Sequence, residues 1–109
     1  MSIRIELAPE VIEDFERILA HLEQHQVPSP AMRIESILTA IDLLQTSPLI
    51  GRPVNDDKRE LVIGPNSQGY IALYRYLAEI KTVFILAVRG QGEAGFLRDW
   101  LPWPKGRNK

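Results

Sequence analysis

Residues 70–89 read Tyr-Ile-Ala-Leu-Tyr-Arg-Tyr-Leu-Ala-Glu-Ile-Lys-Thr-Val-Phe-Ile-Leu-Ala-Val-Arg. Two runs rich in aromatic and β-branched residues flank a short polar break at Ala78, Glu79 and Lys81, the signature of two antiparallel strands joined by a tight turn. Side chains alternate across a strand, so Ile71, Leu73 and Arg75 share one face and Tyr70, Ala72, Tyr74 and Tyr76 the other. Neither face is cleanly polar. The hairpin is therefore the centre of a sheet that needs cover on both sides, and the rest of the chain is expected to cover only one.

Upstream, Ile3, Ile5 and Leu7 alternate with Arg4 and Glu6, the period-2 pattern of a half-buried strand. Pro9 suits the first turn of a helix, and Val11, Ile12, Phe15, Ile18, Leu19 and Leu22 recur at helical spacing to about His25, with Glu10, Glu13 and Asp14 near the positive end of the helix dipole. Gln26-Val27-Pro28 breaks the pattern. Ser29-Pro30 reads as a cap and first turn of a second helix whose stripe is Ile34, Ile37, Leu38, Ile41 and Leu44. The two helices should pair as a hairpin with Phe15 and Ile41 buried against the sheet. Leu49 to Val54 is a connector whose glycine and proline should prevent regular structure, and Asn55-Asp56-Asp57 is a turn. Residues 59–63 form the next strand, and residues 64–69 a hairpin loop back into Tyr70.

The expected fold class is α+β: an N-terminal strand, a helix hairpin, then an antiparallel three-stranded meander, with the helices packed on one sheet face. A chain of 109 residues makes one domain, taken as 1–104, with 105–109 a basic, mobile tail. Without cysteine there is no disulfide and no thiolate metal site. No stretch approaches the ~20 apolar residues of a membrane span, so the expected location is the cytoplasm, with no membrane partner.

The charges are segregated. Residues 1–50 carry 3 basic and 8 acidic side chains and residues 51–109 carry 10 basic and 6 acidic, a net of −5 against +4. A basic sheet side suits an acidic partner, although glutamates on wet helix faces account for part of the asymmetry.

The arrangement and several of its residues resemble the RelE/ParE toxin superfamily of bacterial toxin–antitoxin modules, of the ParE-like, plasmid-stabilisation type. The matching pieces are Leu49-Ile50-Gly51-Arg52-Pro53, Arg59-Glu60-Leu61, Gly69-Tyr70 with Leu73-Tyr74-Arg75, and Ile85-Leu86-Ala87-Val88-Arg89 followed by Glu93-Ala94-Gly95-Phe96. The resemblance implies a small toxin silenced by a cognate antitoxin, which reaches DNA only through that antitoxin; a homodimer stays open. RelE-like members cleave messenger RNA on the ribosome without a metal, and ParE-like members inhibit DNA gyrase.

Metal-free cleavage needs a base for the 2′-hydroxyl, an acid for the leaving oxygen and cations for the phosphate. Where ribonuclease members carry an arginine after the hairpin tyrosine this chain has Ile71, and their basic residues after the last strand are replaced by Gly90, Gln91 and Gly92. The reading is a gyrase-directed toxin rather than an enzyme, with no catalytic residues. The alternatives are a RelE-type ribonuclease and a degenerate member that only binds its antitoxin.

Residues assigned to partner or target contact are Arg52, Arg59, Arg75, Arg89, Phe96, Trp100 and Trp103. Against that assignment, a surface arginine by default pairs with a nearby carboxylate, and Arg52 and Arg59 are suited to fixing the connector. His21 and His25 sit four apart on one helix, but no third ligand accompanies them, so neither metal nor cofactor is expected. No P-loop, dinucleotide fingerprint or nucleophile triad is present.

Overall fold

The structure, a computed structural model, describes residues 2–64 and 69–91. The expectations for Phe96, Trp100, Trp103, the basic tail and the middle of the 64–69 loop lie outside these residues. In chain order the elements are β1 (Arg4–Leu7), α1 (Pro9–Gln24), α2 (Pro30–Asp42) with a 3₁₀ turn at Leu43–Gln45, β2 (Arg52–Pro53), β3 (Lys58–Ile63), β4 (Tyr70–Leu77), a 3₁₀ turn at Ala78–Ile80, and β5 (Thr82–Gly90). They form one five-stranded sheet in the order β1-β5-β4-β3-β2. β2 to β5 run as an antiparallel meander, and β1 joins parallel to β5, so the first and last described strands are neighbours.

The helices cover one sheet face. Val11, Ile18 and Leu22 of α1 and Ile37, Ile41 and Leu44 from α2 and its 3₁₀ turn pack on a floor that includes Leu61, Tyr74, Val83, Ile85 and Val88. Proline opens each helix at a position where its missing N–H costs nothing. α1 is closed by Gln26 in the left-handed region, φ 55°, with the Val27 N–H donating to the Leu22 carbonyl at 2.9 Å.

Four local expectations need correction. Ser29 does not cap α2 with its side chain: it adopts a left-handed conformation, φ 53°, and makes no side-chain cap hydrogen bond. Ile12 and Leu38 lie on the edges of their stripes and are exposed, and Phe15 is only partly buried. The Leu49–Val54 connector is not wholly irregular, because Arg52 and Pro53 pair with Glu60 and Arg59 as a two-residue edge strand. An edge tolerates a residue without an N–H.

The fourth correction concerns the face away from the helices. Ile71 and Leu73 are buried, only 5% and 2% exposed, and so is Ala87. Val54 and Leu86 pack over Leu73 and Ala87 as a second, smaller apolar cluster. The sheet is thus sheltered on both sides at its centre, as a hairpin apolar on both faces requires.

Candidate partner surface on the helix-free sheet face

Cross-strand register places the charged side chains in rows. Lys58, Arg75 and Phe84 lie opposite one another across β3, β4 and β5, with Glu6 of β1 beside Phe84. Arg52, Glu60, Leu73 and Ala87 form the next row, and Val62, Ile71 and Arg89 the third. Arg75 and Arg89 share this face but stand at its two ends, about 13 Å apart along the strands at ~3.3 Å per residue, with the apolar cluster between them.

The cations of this face are engaged within the chain. Arg75 Nη2 donates to Asp57 Oδ2 at 2.6 Å, and Arg52 reaches Glu60 Oε1 through Nε at 3.1 Å and Nη2 at 2.8 Å. Lys58 Nζ lies 3.9 Å from Asp56 Oδ2 and 3.8 Å from Asp57 Oδ1. The Asn55-Asp56-Asp57 turn thus supplies carboxylates to the cation row, with Asp56 in a left-handed conformation, φ 53°. Arg89 Nη1 donates to the Gly90 carbonyl at 3.2 Å.

Sequence reasoning missed Lys58. It is 5% exposed, and pairing with Arg75 puts two cations side by side under the aspartate turn. The signal was available: Lys58 precedes Leu61 and Ile63 at odd spacing, which assigns it to the face opposite theirs.

Arg59 lies on the helix side, opposite Tyr74. Its Nη1 donates to the Leu49 carbonyl at 3.1 Å and the Gly51 carbonyl at 2.8 Å. Tyr74 completes the clasp. Its hydroxyl donates to the Pro48 carbonyl at 2.8 Å and accepts from the Gly51 N–H at 2.9 Å. Gly51 is fixed in kind, since a Cβ there would sit 2.7 Å from the Tyr74 ring and 2.8 Å from the Glu60 carbonyl oxygen. The clasped loop presents Leu49 and Ile50, each 57% exposed. Burial raises the Tyr74 pKa, while the Gly51 hydrogen bond and the Arg59 charge act in the opposite sense.

Elsewhere, His25 Nδ1 donates to the His21 carbonyl at 3.0 Å, and the two ring centroids lie 4.2 Å apart with the planes tilted by 39°. Among the described residues no three His, Asp or Glu side chains gather as a metal set, and no helix is long and apolar enough to cross a membrane.

The sequence matches the family described as the ParE toxin of the type II toxin–antitoxin system parDE, over residues 5–95. The chain belongs to the ParE toxin family. Three solved structures show where this ParE-family chain stands among known folds. The chromosomal ParDE system of P. aeruginosa aligns with a TM-score of 0.65 at 18% identity, over 81% of this chain and 95% of that one. A doubly substituted E. coli RelE toxin in the free state gives 0.60 at 18% identity, over 87% and 88%. The RelBE2 toxin–antitoxin complex of Mycobacterium tuberculosis gives 0.54 at 21% identity, over 84% and 100%. At these identities the likenesses establish the shared fold, two helices on one face of a mixed sheet. No curated protein matches the sequence.

Proposed function

We propose that this ParE-family chain is a toxin that acts on DNA gyrase by protein contact and is held silent by a cognate antitoxin. The observation that supports contact over RNA cleavage is the state of the helix-free face: Arg75 and Arg52 are ion-paired to Asp57 and Glu60, and Lys58 is buried beside Asp56 and Asp57. A phosphodiester entering this face would compete with carboxylates already in place, at an electrostatic cost. Histidine, the commonest general acid–base group, occurs only at His21 and His25 of the helical half. A partly apolar protein segment can instead dock over Val54 and Leu86 and hydrogen-bond to the ion pairs where they stand, without displacing Asp57 or Glu60.

Purified protein is expected to slow gyrase supercoiling and to leave message translated on ribosomes uncut, and adding the antitoxin is expected to restore supercoiling. Codon-specific cuts in message would overturn the reading in favour of a ribonuclease. Neither effect would leave a member that binds its antitoxin without attacking a target.

On the same reading the antitoxin docks on this face. Arg75→Glu sets a carboxylate against Asp57 and removes one of the two adjacent cations, so antitoxin affinity measured by calorimetry should fall by roughly tenfold, about 1.4 kcal/mol. Unchanged affinity would put the antitoxin elsewhere.

A further inference from the structure

The end of β5 carries an irregularity that decides which way Arg89 points. From Leu77↔Thr82 to Tyr74↔Ile85 the hairpin keeps one register; from Leu73↔Ala87 onward it keeps another, shifted by one residue, with Leu86 the extra residue of a β-bulge. Had the first register continued, Arg89 would lie opposite Tyr70 and face the helices, and Val88 would lie opposite Ile71. The bulge exchanges them. Val88 becomes core, 1% exposed, and Arg89 joins Ile71 on the helix-free face.

The bulge begins where β5 loses its neighbour. β1 pairs as far as Leu7↔Ile85, and the Ala8 N–H donates to the Ile85 carbonyl at 2.9 Å. Two side chains from one turn of α1 then take over the role of a strand. Asp14 Oδ2 accepts from the Val88 N–H at 3.0 Å, and Arg17 Nη2 donates to the Val88 carbonyl at 3.2 Å. Asp14 Oδ1 also accepts from Arg17 Nη1 at 3.0 Å, so each side chain steadies the other. Asp14 is 3% exposed, a charge buried on the apolar stripe of α1 between Val11 and Ile18. Buried charges are costly unless paired and hydrogen-bonded, and here both oxygens are satisfied by the bulged chain and its bracket.

We infer that Asp14, together with Arg17, is a positioning residue for Arg89: the pair binds the main chain of Val88 in the bulged register and so sets Arg89 on the face that contacts the partner. The part of this inference that concerns the partner rests on the reading of that face given above. The register itself does not depend on it.

The test uses the full chain with Asp14→Asn, which keeps the size of the side chain, with Arg17→Gln as a second variant at a partly exposed position. In the parent protein, NMR through-space contacts from Arg89 should run to Ile71, and the Val88 amide should exchange slowly. In Asp14→Asn the Val88 amide should exchange faster and Arg89 contacts to Ile71 should be lost, with contacts to Tyr70 gained. Retention of the Ile71 contacts in both variants would overturn the proposal, reducing Asp14 to a stabilising ion pair. In gyrase supercoiling assays Arg89→Gln should weaken inhibition, Asp14→Asn should weaken it by a similar factor, and the double variant no further. Additive losses would also overturn positioning. If Arg89→Gln alone has no effect, the functional reading of the face fails, and the NMR result still decides the register.

Discussion

Tyr74→Ala is expected to lower the unfolding free energy by about 3–5 kcal/mol, the range for deleting a buried aromatic side chain. Tyr74 is fully buried and stands on the central strand, so the cavity would open under the helix pair, where little can collapse to fill it. Tyr74→Phe separates the hydroxyl from the ring. It leaves the Gly51 N–H and the Pro48 carbonyl without their partner and should cost about 1–3 kcal/mol in a chemical denaturation curve. A Phe variant as stable as the parent would mean that water replaces the hydroxyl in the clasp.

The same residue carries a pH dependence. Its pKa is raised in the folded protein, chiefly by burial, so the neutral phenol is the folded form. The stabilisation is therefore complete below the unfolded tyrosine pKa of about 10 and is lost as pH rises from there through the folded value. Melts recorded from pH 9 upward should fall more steeply for the parent than for Tyr74→Phe; parallel curves would remove Tyr74 as the titrating group.

Ile37→Ala should cost about 2–5 kcal/mol by thermal or chemical denaturation, since Ile37 is fully buried where α2 meets the core. Its neighbour Leu38 is the control. Leu38 is 38% exposed at the edge of the stripe, and Leu38→Ala should cost clearly less, about 1 kcal/mol. Equal losses at the two positions would mean that α2 is rotated about its axis relative to this packing.

Much of the fold was legible because the period changes so plainly along the chain, from alternation at Ile3, Ile5 and Leu7 to helical spacing at Val11, Ile18 and Leu22 and back again at Tyr70. What the pattern could not supply was anything fixed by contacts between distant segments. β1 lies parallel to β5 because the helix pair returns the chain over the sheet, and nothing local in Arg4 to Leu7 encodes that neighbour. The two-residue β2 was hidden by Gly51 and Pro53, which read as breakers although an edge accepts them.

The arginines were legible by type, and the expectation that Arg59 fixes the connector agrees with its hold on the Leu49 and Gly51 carbonyls; what the pattern did not supply was the face each one occupies. Arg59 clasps a loop on the helix side, and Arg75 meets an aspartate on the opposite face. In sequence Asp14 suits the positive end of the helix dipole, but its place three residues after Val11 and four before Ile18 is the sign that it points inward. The bulge at Leu86 left no mark in the sequence. It coincides with the end of the β1 pairing at Ile85 and with the Asp14 and Arg17 contacts to Val88, all of them tertiary events.

The short β2 strand has a consequence for how the protein behaves among other chains. An exposed sheet edge is a template on which a second strand can zip, and a long flat one invites aggregation. Here that edge offers only two residues, one of them Pro53, which has no N–H to give, and the other Arg52, whose charge stands beside it. Along β2 itself an incoming strand would find almost no ladder to extend, which favours the faces of the sheet over this stretch of its border as ground for specific recognition.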